Sequence, residues 1–162
     1  MKNCHRCRRR ASTARWLPFA PMARNDAKLE QLAKVRLFAS CTKKELTQIG
    51  RASTEASVPA GKVLCEEGTP GHEFFLVLDG QATVRRNGRK VATYAPGASF
   101  GEMALLDRGP RSATVTADTD MSLLVIGQRE FSGVLDEIPA LAHKLLSVMA
   151  ARLREADAKL FS

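Results

Sequence analysis

Apolar positions along the chain fall into three zones of different period. Between residues 26 and 52 they recur every three or four residues: Leu29, Leu32, Ala33 and Val35, then Leu46, Ile49 and Ala52. That spacing predicts two amphipathic helices. Thr42 stands before the second with Glu45 three residues on, a capping-box pair. Phe38 and Cys41 fall in the connector. From Val58 the period shortens. Lys62–Glu66, Glu73–Leu78, Gln81–Arg85, Lys90–Tyr94 and Met121–Ile126 read as short strands. Turn residues separate them: Pro59-Ala60-Gly61, the Gly68 to Gly71 loop, Asp79-Gly80, Asn87-Gly88 and Pro96-Gly97. Asp79-Gly80 and Asn87-Gly88 read as hairpin turns. At Gln128 the helical period returns, with a short helix to Leu135 and a long one from Ile138 to Phe161. Leu141, Leu145, Met149, Leu153, Ala156 and Leu160 run down one face of the long helix. The pattern predicts a mainly β fold with flanking helices, an eight-stranded β jelly roll. Helices occupy 26–52, the β-roll 53–127 and further helices 128–161.

Charge adds a boundary. The 162 residues hold 25 Lys and Arg against 17 Asp and Glu, a net charge of +8. Seven of those cations, Lys2, Arg6, Arg8, Arg9, Arg10, Arg15 and Arg24, lie in the first 24 residues, which contain no acid. The basic character therefore belongs to a tail, and residues 25–162 are nearly neutral. The tail is expected to be disordered. Cys4-His5-Arg6-Cys7 has half of a zinc-site spacing without a second pair. Arg9-Arg10-Ala11-Ser12 resembles a site for basophilic kinases, and the arginine run suits nucleic acid or an acidic membrane surface. Translation from Met22 would remove most of it.

Several classes drop out. No run of 18 apolar residues predicts a membrane span. Arg15, Pro18 and Pro21 interrupt any signal-peptide core, so a cytoplasmic protein is expected. Cys4, Cys7, Cys41 and Cys65 show no disulfide framework, and Cys41 and Cys65 read as small buried residues. A metal-binding jelly roll would need clustered histidines. His5, His72 and His143 do not pair at ligand spacing, so no metal and no catalytic residue is assigned.

Candidate chemistry concentrates at Phe100-Gly101-Glu102-Met103-Ala104-Leu105-Leu106, followed by Gly109-Pro110-Arg111-Ser112-Ala113. Gly101 permits a tight turn into a short helix from Glu102. Unpaired N–H groups at such a helix start attract an anion. Gly109-Pro110 breaks the helix, and Arg111 heads a strand that places Ala113, Val115 and Ala117 on one face. A guanidinium holds two phosphate oxygens at once and stays charged. An ionised Glu102 only accepts hydrogen bonds, so a sugar hydroxyl suits it better than the anion.

This stretch resembles the phosphate-binding cassette of the cyclic nucleotide-binding domain family. A second family pattern precedes it: Leu64-Cys65, Gly68-Thr69, Gly71, Phe74-Phe75-Leu76-Val77 and Gly80. The resemblance covers roughly residues 26 to 160. It implies that Arg111 binds a cyclic phosphate and Glu102 the ribose 2′-hydroxyl. Gly101, Met103, Ala104, Ser112 and Ala113 would complete the cradle, and Val84 and Val91 would supply apolar wall. Leu105 and Phe131 match hinge positions, and residues 128–161 become lid helices. Where the catabolite activators carry Thr-Ser, this chain has Ala156 and Asp157, which leaves Arg152 or Arg154 to stack on the base. Ser112 fits cyclic AMP in preference to cyclic GMP. The implied protein is a non-catalytic sensor without a helix-turn-helix DNA reader. It needs no cofactor, acts on an unknown downstream protein, and forms a possible homodimer through the long helix. The alternatives are a nucleotide buffer, or a scaffold in which Glu102 pairs with Arg111 in a pocket that no longer binds.

Overall fold

The computed structural model describes residues 25–161, so the Cys4–Cys7 spacing, the Arg9-to-Ser12 stretch and the proposed start at Met22 lie outside the described residues. Helix α1 spans Asn25–Lys34, a 3-10 turn follows at Arg36–Phe38, and α2 spans Lys43–Ala52. Thr42 caps α2 as a full capping box: its Oγ1 accepts from Glu45 N at 3.2 Å, and Glu45 Oε2 accepts from Thr42 N at 2.8 Å. The strands are β1 Ser53–Val58, β2 Val63–Cys65, β3 Glu73–Asp79, β4 Ala82–Arg86, β5 Arg89–Tyr94, β6 Ser99–Phe100, β7 Thr114–Ala117 and β8 Met121–Gly127. Helix α3 (Glu102–Asp107) sits between β6 and β7, and α4 (Gln128–Glu137) and α5 (Pro139–Leu160) close the order.

The eight strands form two antiparallel four-stranded sheets, ordered β1-β8-β3-β6 and β2-β7-β4-β5. This is the jelly roll with flanking helices. β3 and β8 are apolar on both faces because each serves two cores. Phe75, Val77, Leu123 and Val125 face the second sheet and pack with Val84, Phe100, Val115 and Ala117. Phe74, Leu76, Leu124 and Ile126 face the helices and pack with Leu32, Phe38, Ile49, Phe131 and Leu141. Two-sided burial produces the uninterrupted hydrophobic runs read in the sequence.

Two expectations change. The first strand begins at Ser53, ahead of the period change at Val58. Its small polar residues conceal the burial of Ser53, Ala56 and Val58, of which only Ala56 and Val58 are apolar. Asp79-Gly80 is no hairpin turn, because β3 and β4 lie in different sheets. Gly80 (φ 89°) instead carries the chain across, where a Cβ would meet the Asp120 carbonyl oxygen at 2.5 Å. Asn87-Gly88 does close a hairpin, with Arg86 opposite Arg89. Cys65 is buried as expected, whereas Cys41 is only partly so.

Candidate functional site

The loop from Gly68 to Gly71 and the stretch around Arg111 lie 40 residues apart in sequence and are tied by their backbones. Gly68 N donates to Arg111 O at 2.9 Å, and Arg111 N donates to Thr69 O at 2.8 Å. The Arg111 side chain turns inward from this clamp and is 6% exposed. Its Nη1 donates to Gly101 O at 3.2 Å and its Nη2 to Glu73 O at 3.0 Å. The Glu73 carboxylate lies 3.6 Å from Nη2, and the guanidinium sits 5.7 Å from the Phe75 ring centroid. Two glycines make room for it. A Cβ on Gly71 would fall 2.3 Å from Arg111 Nε, and one on Gly101 (φ 94°) 2.7 Å from Nη1.

Glu102, the first residue of α3, is 3% exposed. Its partner is Arg152 on α5: Nη1 contacts Glu102 Oε1 at 2.5 Å, while Nη2 donates to Ser99 O at 3.3 Å. The expected alternative, Glu102 paired with Arg111, does not form. Each takes its own partner because Arg111 is drawn towards carbonyls of the β3 and β6 ends, and α5 passes over Glu102. Burying a carboxylate is costly unless it is paired, and Arg152 supplies the pairing.

A cavity of about 60 Å³ joins these groups. Gly101, Glu102, Met103, Ala104, Arg111, Ser112 and Ala113 all line it, as does Arg152. The remaining expected residues lie elsewhere. Val84 is buried in the inter-sheet core and Val91 is 54% exposed; neither lines the cavity. Arg154 and Ala156 are exposed on α5 away from it. Leu105 and Phe131 share the helix-side core with Leu141 and Leu145, and Phe131 packs on Phe74 at 4.9 Å between centroids.

Sequence reading missed Cys65 and Tyr94, which also line the cavity. Burial pushes the Cys65 thiol up to about 11, against a smaller opposing pull from Arg111. Burial likewise raises the Tyr94 phenol, with Arg152 acting the other way. Tyr94 stacks on Phe100 at 5.0 Å, and Phe100 on Phe75 at 5.0 Å. An aromatic column thus runs from the cavity wall to the face under Arg111. Phe100 opens the cassette pattern and was a visible signal; nothing local to Tyr94 marks it.

With this geometry in place, comparison with known proteins is direct. Residues 55–137 match the family model for the cyclic nucleotide-binding domain. A cyclic nucleotide-gated potassium channel of Mesorhizobium japonicum is 40% identical over 112 residues, covering 69% of this chain and 31% of the channel. The cyclic AMP receptor protein of Thermus thermophilus is 37% identical over 107 residues, covering 63% of this chain and 50% of that protein. The chain therefore spans about a third to a half of the length of these relatives. The crystal structure of the Thermus thermophilus catabolite activator protein superposes with a TM-score of 0.73 at 34% identity, covering 76% of this chain and 61% of that one. Among the described residues, no helix is long and apolar enough to cross a membrane.

Proposed function

The chain belongs to the cyclic nucleotide-binding domain family, and from that premise we propose that it binds a cyclic nucleotide, cyclic AMP in preference to cyclic GMP, as a non-catalytic sensor. One observation carries the reading: buried Arg111 and buried Glu102 line one cavity with the α3 start, and each is held by a partner other than its neighbour across that cavity. Arg111 spends two donors on carbonyls and has the Glu73 carboxylate beside Nη2, so a phosphate takes its remaining N–H groups in competition with Glu73. Glu102 accepts from the ribose 2′-hydroxyl, and the amides near Ala104 and Ala113 complete the cradle. An arginine–phosphate contact contributes about 1.5–3 kcal/mol, whereas a micromolar complex needs about 8 kcal/mol. Ribose, amides and base burial supply the rest. Ser112 and the likeness to a protein named for cyclic AMP support the choice of base.

A cavity of about 60 Å³ is small beside the ~300 Å³ at the low end of small-molecule sites. Arg152 is its movable wall, with a side chain 44% exposed. Admitting a nucleotide shifts Arg152 and the helix that bears it. Leu105 and Phe131 transmit the adjustment of α3 to α4 and α5, since these three helices share one core with β3. The shift accumulates only to the extent that the nucleotide prefers one arrangement. Output runs to a downstream protein or to a second copy. Leu146, Leu153 and Leu160 are exposed at seven-residue intervals along α5, the spacing of a seam for a partner helix.

Calorimetric titration of cyclic AMP and cyclic GMP into the full chain tests the reading, with Arg111→Ala as control. Micromolar or tighter binding that weakens by about ten- to 150-fold in the variant is expected, with cyclic AMP the tighter. A folded protein giving no heat with either nucleotide overturns it and leaves the scaffold reading.

A further inference from the structure

The β4–β5 hairpin bears Arg85-Arg86-Asn87-Gly88-Arg89-Lys90 at its tip. The turn takes two residues, Asn87 at φ 51° and Gly88 at φ 75°. The ladder sets Arg86 opposite Arg89 and Arg85 opposite Lys90, and all four side chains are exposed. Like charges facing each other across a ladder destabilise it. The salt bridges Arg111–Glu73 and Arg152–Glu102 do not involve these cations. Glu67 reaches the tip, where its carboxylate accepts from Asn87 N at 3.0 Å and offsets one of the four positive charges. Arg86 spends one donor, from Nε to Ser112 O at 3.1 Å. The fold thus presents four cations whose mutual repulsion an outside anion would relieve.

The same hairpin supplies a free edge. β5 is the outer strand of its sheet, and Arg89 through Thr93 are exposed. An outer strand leaves a row of backbone N–H and C=O groups unpaired on one side. Successive side chains of a strand point to opposite faces, so Arg89 with Arg86 lies on one face and Lys90 with Arg85 on the other. A flat bilayer or a duplex backbone meets one face only. An added strand carries its own side chains alternately to both.

We propose that the outer edge of β5 receives an extended acidic segment of a partner protein as a further strand. Adjacent carboxylates of that segment would lie one against Arg89 and Arg86, the other against Lys90 and Arg85. Backbone pairing supplies the docking and the four cations select the acidic sequence. The inference does not depend on nucleotide binding, because no residue of this edge lines the cavity except Tyr94 at its end.

The test uses the full chain and a fluorescent, acetylated peptide, Thr-Val-Glu-Glu-Val-Thr, with a backbone N-methylated copy as control. The arginines of residues 1–24 attract the same peptide, so the reading is the difference between wild type and Arg89→Glu/Lys90→Glu. About a tenfold loss is expected from removing and reversing two ion pairs. The N-methylated copy should bind at least as weakly as the plain peptide binds the variant, and amide NMR shifts on adding peptide should map to β5. Equal binding by wild type and variant, or by the N-methylated copy, overturns the proposal. So does a variant that aggregates without losing peptide binding, which would make the charges a guard against edge pairing. Hairpin-dependent binding of single-stranded DNA or phosphatidylserine vesicles tighter than that of the peptide assigns the tip to those partners instead.

Discussion

Replacing Gly71 by alanine separates the placement of Arg111 from its presence. Gly71 lies outside the left-handed region of backbone space, so alanine fits the local conformation. Its Cβ would nevertheless fall 2.3 Å from Nε, 2.5 Å from Cζ and 2.7 Å from Cδ of Arg111. A side chain yields more readily than a backbone, and the guanidinium is the part that must leave. Moving it sacrifices the bonds to Gly101 O and Glu73 O. Unpairing buried groups of this kind costs about 1–3 kcal/mol, which lowers Tm by a few degrees in a domain of this size. Binding suffers separately. Loss of the arginine–phosphate contact, about 1.5–3 kcal/mol, weakens affinity by about ten- to 150-fold. Titration calorimetry on wild type, Gly71→Ala, Arg111→Ala and the double variant reads this as a cycle. The double variant should bind no more weakly than Arg111→Ala alone, because the glycine acts only through the arginine. If folded Gly71→Ala binds within twofold of wild type, Arg111 at its observed position does not hold the phosphate. If the two losses add in full, Gly71 acts by another route.

Further outcomes follow from the same geometry. Arg152→Ala leaves Glu102 buried without its partner; about 1–2 kcal/mol of stability should be lost in denaturant titration, with Arg152→Lys restoring part of it. Leu105→Ala opens a void in the core that joins α3 to α4 and α5, costing about 2–5 kcal/mol. Spin labels on α5 and β4 should then show a smaller nucleotide-induced shift; an unchanged shift would dismiss Leu105 as a hinge. If a second copy covers the seam, Leu146→Ser/Leu153→Ser should convert dimer to monomer in analytical ultracentrifugation, and a wild-type protein already monomeric at high concentration would rule out self-pairing. With its pKa at about 11, the Cys65 thiol stays protonated until well above neutral pH. It should resist iodoacetamide at pH 7.5 in the folded chain and react once unfolded, as read by peptide mass mapping.

What the sequence determined by itself was whatever depends on neighbours a few residues apart. The capping box at Thr42 and Glu45 closes within one helical turn. The Asn87-Gly88 turn needs two residues with positive φ, which these two tolerate. The apolar runs of β3 and β8 announce burial on both faces, and the cassette with its preceding glycine pattern marks the stretch on which the proposed site is built. Even there the sequence displays Gly71 and Gly101 without their reason, which is the volume of an arginine 40 and 10 residues further on. Only the tertiary structure decided the rest. It assigned β3 and β4 to different sheets, because a strand crossing and a hairpin use the same Asp-Gly letters. It drew Tyr94 and Cys65 into the cavity wall, and sent Val84 to the core and Val91 to the surface, because strand alternation and a bulge beside Arg85 fix those directions. It gave Glu102 to Arg152 across 50 residues instead of to Arg111 nearby. The helix path of α5 selects that partner. A buried carboxylate must take the cation that packing delivers to it, and packing is settled by the assembled cores, which no local spacing encodes.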